Sequence, residues 1–198
     1  MKKLITFLMV TLMMLSFVVY ASAAYTMGSS VKQSSDVDIR GDYIPIQIKT
    51  RRNSDGVWRE TAEASSELRG SQIYYADYAV DGETSTCWQE GKQGHGTGEW
   101  IKVPLDEAAD IGMIRFRMGN AYSDESFYRN ERPAQITVEF SDGSSTTATF
   151  PDKNREYCLV LDNPVRADWF KIIIDDVYAG ETTKDCCISI IKVYEKDW

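Results

Sequence analysis

From Trp58 onward, apolar and polar residues alternate in short runs with a period of two. In Glu99–Leu105, Ile101, Val103 and Leu105 share one face. Ile114, Phe116 and Met118 alternate with Arg115 and Arg117, and Ile136, Val138 and Phe140 alternate with Thr137 and Glu139. Successive side chains of a strand point to opposite faces, so each run predicts a half-buried strand. Asp142-Gly143 then turns the chain into Thr146–Phe150, which is a hairpin signal. Tyr157–Leu161, Trp169–Asp175 and Cys187–Tyr194 complete the series. No stretch sustains an apolar period of 3.6; Thr61–Leu68 has room for one helical turn. Short strands joined by polar loops predict an all-β antiparallel β-sandwich.

The pattern fades toward the N-terminus. Residues 24–41 are rich in Ser, Asp, Gly and Lys, and read as a linker. Tyr43–Ile48 is apolar but interrupted by Pro45, which suits only an edge strand. Arg51–Gly56 is polar and turn-rich. Residues 24–57 are therefore assigned to a linker or irregular segment, and 58–198 to the folded domain. Residues 1–23 have the form of an export signal. Lys2 and Lys3 precede an uncharged run, Leu4–Tyr20, and Ala21-Ser22-Ala23 supplies the small residues of a cleavage site. The run approaches the length of a membrane span, so a retained anchor is the alternative.

Five Trp, eleven Tyr and seven Phe in 198 residues supply a sizeable core. A formal charge of −8 leaves no basic surface for nucleic acid or anionic lipid. Export changes the reading of Cys87, Cys158, Cys186 and Cys187: an even number in an oxidising compartment points to disulfides, with three pairings open. Zinc is disfavoured, because there is no CxxC and His95 stands alone in a Gly-rich loop. No catalytic residue emerges. A Ser-His-Asp triad would have to use His95 without a nucleophile elbow, and neither a P-loop nor a dinucleotide fingerprint occurs. Asp175 and Asp176 are adjacent in a strand, face opposite ways and cannot flank one bond.

The densest binding chemistry lies in Asn120–Arg132, which interleaves Asn120, Tyr122, Phe127, Tyr128, Asn130 and Arg132 between two strands. Sugars present apolar C–H faces and a ring of hydroxyls, so they call for aromatic platforms beside planar hydrogen bonders. The competing reading is that Tyr122 and Tyr128 pin the loop and Arg132 pairs with Asp124 or Glu125. Tyr178, in the loop before the last strand, is a second candidate. Trp100, of opposite parity to Ile101, divides evenly between core and ligand. Glu90 and Lys92 rank behind these, and Trp88 reads as core.

These segments also carry a resemblance. Ala64-Ser65-Ser66 followed by Tyr75-Ala76-Asp77-Tyr78-Ala79-Val80-Asp81-Gly82 and Thr86-Cys87-Trp88 resembles the opening of discoidin-type (coagulation factor C-type) domains. Gly98–Ile101, Asn120–Tyr122, Tyr128–Pro133, Phe140–Gly143, Asp176–Gly180 and Cys187–Ser189 are similar to the glycan-binding, translocation-type branch found on bacterial NAD glycohydrolase toxins. The resemblance spans about residues 58–196. It implies a galactose-binding-like jelly roll and a secreted or cell-surface, non-catalytic bacterial module whose partner is a glycan or glycoconjugate. A protein-interaction or toxin-translocation accessory module is the alternative. Neither nucleic acid nor, after signal cleavage, membrane is an expected partner. Asp81 and Thr86 match two ligands of a structural calcium site in related domains, but Ile190 stands where many members have the closing glutamate, and Ala121 where many have Gly. The resemblance further implies a Cys87–Cys187 disulfide, which would leave Cys158 to pair with Cys186.

Overall fold

The structure is a computed structural model that describes residues 25–70 and 74–197. The expected export signal lies outside these residues. The chain forms β1 (Tyr25–Thr26), β2 (Ser29–Gln33), a short helix α1 (Ile39–Asp42), β3 (Tyr43–Pro45), β4 (Thr50–Arg52), β5 (Trp58–Glu60) and β6 (Glu63–Ala64). It continues through a 3-10 turn (Ala76–Ala79), β7 (Trp88–Gln89), β8 (Trp100–Met118), α2 (Asp124–Arg129), β9 (Arg132–Phe140), β10 (Ser144–Thr149), β11 (Glu156–Tyr178) and β12 (Cys187–Lys196).

Two long strands build the sandwich. The sequence suggests separate strands at 99–105 and 114–118, and again at 157–161 and 169–175. Each pair is one continuous strand, β8 and β11 respectively. The first half of β8 pairs with the second half of β11 (Ile101 opposite Ile172), and its second half with the first half of β11 (Ile114 opposite Leu159). Both strands turn a corner where they become exposed, at Asp106–Ala108 and at Asp162-Asn163. The register shifts at Val160/Val165 and Ala167/Trp169. Such irregularities let a strand pass from one layer to the other. One layer follows β10-β9-β11-β8, with β6 at its margin; the other follows β2-β11-β8-β12-β3.

The alternation read from the sequence is the one that fills the core. Ile101, Val103, Ile136, Val138, Phe140, Phe170 and Ile172 from one layer meet Ile114, Phe116, Leu159, Ile191 and Val193 from the other. Asp142-Gly143 makes the expected turn: Gly143 has φ 89° and Asp142 Oδ1 accepts from the Ser144 N–H.

The N-terminal segment departs from expectation. Residues 25–49 are part of the sheet rather than a linker. β1 runs parallel to β10, β2 pairs with β11 and β3 with β12, while Ile48 enters the main core. The edge-strand reading of Pro45 agrees with β3, which lies at the end of the sheet path. Val37, Ile39 and Tyr43 cover a second, smaller cluster of Met113, Cys158 and Tyr194 on the outer face of the β8–β11–β12 layer. Short, isolated apolar residues suffice there because the partner strands already exist. Thr61–Leu68 contains no helical turn; Glu63-Ala64 forms β6 against Lys102 and Ile101. Within residues 58–197 the helical residues described fall instead at Ala76–Ala79 and in α2.

Candidate functional site

The loops that follow β8, precede β7 and precede β12 gather at one end of the sandwich. α2 organises the first of them. Ser123 caps it, its Oγ accepting from the Ser126 N–H at 3.0 Å, and Arg129 pairs with Glu125 one turn earlier at 2.6 Å. Phe127 is the helix's inward anchor. Gly119 has φ 74°, and a Cβ there would lie 2.7 Å from the Phe127 ring, so only glycine fits. Ser189, beneath the loop, donates to the Gly119 carbonyl and accepts from the Ala121 N–H, each at 2.9 Å.

The structure divides the sequence-derived candidates in two. Arg132 is 4% exposed. Its Nε and Nη2 donate to the two Asp152 oxygens at 2.6 Å each, and its Nη1 donates to the Asn130 and Ala179 carbonyls at 3.1 Å. The partner is therefore Asp152, not Asp124 or Glu125. The same guanidinium stands 5.1 Å from the Phe127 and Tyr128 ring centroids and 5.7 Å from that of Tyr178. Asn130 is buried too, its Nδ2 donating to the Ser126 carbonyl and its Oδ1 accepting from Thr183. The Tyr178 hydroxyl donates to the Phe150 carbonyl at 2.9 Å. Asn130, Arg132, Tyr178 and, by its ring, Tyr128 thus hold loops together from within. Trp100 lies elsewhere, on the outer face of its layer, with Lys171 Nζ 6.0 Å above its ring.

Asn120 and Tyr122 face outward. Tyr122 is 70% exposed, and its N–H donates to Asn120 Oδ1 at 3.3 Å. Both line a cleft of about 220 Å³ completed by Tyr74, Tyr78, Thr86 and Ser126. With Ser85 and Cys87, which also line it, three phenol rings, an amide, three hydroxyls and a thiol converge, and among the described residues no charged side chain lines the cleft. Burial and the neighbouring Cys87, Cys187 and Asp185 push the Tyr74 phenol up, which keeps it a hydrogen-bond donor. The 74–87 side of this cleft has a sequence signal, its tyrosines at Tyr74, Tyr75 and Tyr78, but their approach to Asn120 is a matter of tertiary structure.

Asp81 lies beside the cleft and is bonded to Thr86, which lines it. Thr86 Oγ1 donates to Asp81 Oδ2 at 2.8 Å, and the Glu83 N–H donates to Asp81 Oδ1 at 2.9 Å. A Cβ on Gly82 would sit 3.1 Å from the Lys192 ammonium, so a cation of the chain itself already borders this turn. Ile190, 3% exposed, offers no oxygen where the closing carboxylate would be needed. Calcium takes six to eight oxygens, and the residues present do not fit it.

A second polar assembly joins His95 to Glu131 beside Glu90. His95 Nδ1 lies 2.5 Å from Glu131 Oε1; the imidazole is 55% exposed while the carboxylate is 1% exposed. Glu131 Oε2 is buried without a partner. Glu90, equally buried, accepts from the Cys186 and Lys92 N–H groups, and desolvation pushes its carboxyl up. Gly96 lets the Gly-rich loop lie directly on Cys186, where a Cβ would approach to 2.5 Å. Four glycines around a single histidine in 91–98 were the available signal.

All four cysteines are buried thiols. Cys158 belongs to the outer cluster with Met113 and Tyr194, whereas Cys186 packs in the main core. A β layer separates them, so the implied Cys158–Cys186 pairing is incompatible with the fold. Cys87 and Cys187 do not form a disulfide in the structure; Cys87 directly precedes β7, which pairs with β12 through Gln89 and Cys187.

Among solved structures, the chain is similar to the family 32 CBM of Clostridium perfringens NanJ in complex with galactose. The identity is 22%, over 68% of this chain and 93% of that one, with a TM-score of 0.54. It is also similar to the CBM32-1 and CBM32-2 domains of Clostridium perfringens ZmpB in complex with GalNAc. There the identity is 10%, over 89% of this chain and 41% of that one, with a TM-score of 0.61. A third likeness is to CpGH89CBM32-5 of Clostridium perfringens in complex with GalNAc-β-1,3-galactose. Its identity is 16%, over 67% of this chain and 93% of that one, with a TM-score of 0.51. These likenesses establish the discoidin-like, galactose-binding-like sandwich. No curated protein matches the chain. Residues 52–194 match the family model of the NAD glycohydrolase translocation F5/8 type C domain, and the chain belongs to that family.

Proposed function

We propose that the protein is a non-catalytic carbohydrate-binding module that works outside the bacterial cell, on a cell surface, cell wall or matrix. The observation that carries this reading is the Tyr122 ring, 70% exposed and held beside Asn120 at the mouth of a cleft that Tyr74 and Tyr78 also line. An exposed ring on a fixed loop gives a sugar's C–H face somewhere to stack, and the amide and hydroxyls address its ring oxygens. The sugars named in the three similar structures support a glycan as ligand. The cleft is small, about 220 Å³, and suits one sugar unit rather than a long chain. A single shallow site of this kind corresponds to a Kd of about 1 mM, or about −4 kcal/mol, so adhesion would depend on several copies acting together.

The test is a glycan array on the exported chain, followed by titration of the best binder against the parent, Tyr122→Ala and Asn120→Ala. Weaker binding by both folded variants supports the site. Equal binding by all three places the sugar elsewhere, and an empty array removes the glycan reading. The second reading, a protein-interaction or translocation accessory module, is favoured by the β4–β5 hairpin. There Trp58 is 66% exposed beside the exposed Val57. Loss of partner binding in Trp58→Ala with the array still empty would select it.

A further inference from the structure

We propose that the groove beside the start of β11 binds a protonated phosphate group, held by Arg117 and Arg155 and selected by Glu156. The groove has a volume of about 310 Å³. It lies between the turn at Ser34–Asp36, the end of β8 and the loop that leads into β11. The chain carries a formal charge of −8, yet two guanidinium groups and one carboxylate line this groove. Arg117 is fixed in place. Its Nε and Nη2 donate to Asn154 Oδ1 at 3.2 and 3.1 Å, and Nη2 also reaches the Asn154 carbonyl at 3.4 Å. Asn154 Nδ2 donates in turn to Asp124 Oδ1 at 2.9 Å, so the amide is anchored on α2. Arg117 thus has an amide for partner and no carboxylate, and its Nη1 keeps both protons for a ligand. Arg155 is exposed, and its guanidinium has no hydrogen bond or ion pair among the described residues. A guanidinium fork matches two oxygens of one oxyanion, so two forks suit a group with more oxygens than a carboxylate has.

Glu156 decides which oxyanion. It stands opposite Arg117 in the β8–β11 ladder. Its Oε2 lies 3.7 Å from Arg115 Nη1, too long for a hydrogen bond, so its oxygens keep their accepting capacity. An ionised carboxylate can only accept. It repels any anion without a proton to give. A phosphate bearing a P–OH donates that proton to the carboxylate in a charge-assisted hydrogen bond, while its other oxygens accept from the two arginines. Sulfate has the same shape but no proton near neutral pH, so Glu156 works against it. The groove is distinct from the sugar cleft: no residue lines both, and α2 stands between them, with Asp124 bonded to Asn154 and Ser126 on the cleft.

The experiment titrates inorganic phosphate, methyl phosphate, sulfate and acetate into the folded chain near neutral pH. Ionic strength is held constant, so that general screening cancels. Calorimetry and the arginine Nε–H resonances are the readouts. Inorganic phosphate should bind saturably and roughly tenfold more tightly than sulfate, the discrimination that one charged hydrogen bond provides. Arg155→Gln should weaken phosphate by a similar factor, whereas Lys153→Gln, an exposed cation of the same loop outside the groove, should leave it unchanged. Glu156→Gln replaces an acceptor with a group that can donate, so sulfate should gain and the preference for phosphate should disappear. Methyl phosphate binding as well as the free ion would mark a phosphate monoester as ligand, and binding of the free ion alone would mark inorganic phosphate. A response that does not saturate, acetate or sulfate binding as tightly as phosphate to the parent, or an unchanged preference in Glu156→Gln overturns the proposal. Should Glu156→Gln fail to fold, the parent's ranking of the four ions and the Arg155→Gln titration still decide.

Discussion

Arg132 and Asp152 meet through two bonds of 2.6 Å, Nε to Oδ1 and Nη2 to Oδ2, with the guanidinium 5% exposed and the carboxylate 35% exposed. Asp152 lies in the loop between β10 and β11, whereas Arg132 opens β9, so the pair clips two loops at the site's end of the sandwich. The remaining donors take the Asn130 and Ala179 carbonyls, and three aromatic rings surround the group. Such an arginine fixes the scaffold on which a ligand loop is mounted.

Arg132→Ala should therefore act on stability. It strands a carboxylate and two carbonyls and removes a stacked plane. Breaking a buried ion pair costs about 3–5 kcal/mol, and the partial exposure of Asp152 places this one near the lower end. Chemical unfolding of the variant measures it. An Arg132→Ala protein as stable as the parent would show that the clip contributes little.

Tyr122→Ala should do the opposite. Its ring is exposed, so stability should change by no more than about 0.5 kcal/mol. Loss of a stacking platform of this kind costs about 1–2 kcal/mol of binding, or roughly a five- to thirtyfold rise in Kd. Isothermal titration with the best array sugar, beside a thermal melt, reads both quantities.

Periodicity revealed the layers because each core residue of β8, β9 and β11 obeys the two-residue alternation that burial on one face requires. It did not reveal that two pairs of runs are single strands. The corner residues Asp106–Ala108 and Asp162-Asn163 are exposed and all but Ala108 are polar, so in sequence they look like loops. β2 escaped for a related reason: a short strand against an existing layer needs few apolar residues, and Val31 stands nearly alone, whereas the apolar run around Ile44 marked β3 as an edge strand. At the site, the sequence located the loop but not the direction of each side chain. Composition treats Asn120 and Asn130 alike; one lines the cleft and the other is bonded inside to Ser126 and Thr183. The bond between His95 and Glu131 joins loops 36 positions apart, which no local pattern can foretell.

Electrostatics around the cleft should choose among sugars. Among the described residues its lining has no charge, and three acidic groups border it: Asp81 bonds Thr86, Asp185 sits by Tyr74, and Asp124 follows the Ser123 cap, while Lys192 borders the Asp81-Gly82 turn. Arg129, on the same loop, is occupied by Glu125. A glycan carboxylate or sulfate entering here would meet like charge with no arginine to receive it, a penalty of about 1 kcal/mol per close pair near the surface. Neutral hexosides and N-acetylhexosamines should outbind their sialylated, uronic or sulfated counterparts, most clearly at low salt. An array on which only acidic glycans score would refute this selectivity while leaving sugar binding intact.

The pH dependence of stability follows from three carboxyls. Burial raises Glu60, Asp81 and Glu90 above their ordinary values, which are 4.5 for the glutamates and 3.8 for the aspartate. A raised carboxyl holds its proton more tightly folded than unfolded, so between its unfolded and folded values the native state carries the extra proton. Stability then falls as pH rises through that window and is flat above it. Mild acidification from neutrality should thus stabilise the fold, until the pH falls low enough to protonate paired carboxylates such as Asp152. Glu90 is the most buried of the three, and both its oxygens accept backbone N–H groups. Glu90→Gln cannot titrate, so its unfolding free energy should vary less between pH 7 and about 5 than the parent's. It should also lose about 1–2 kcal/mol throughout, because an amide nitrogen cannot accept the second N–H. Urea unfolding of both proteins across that range is the measurement; a parent profile that rises with pH would show that the paired carboxylates, not the buried ones, dominate the proton linkage.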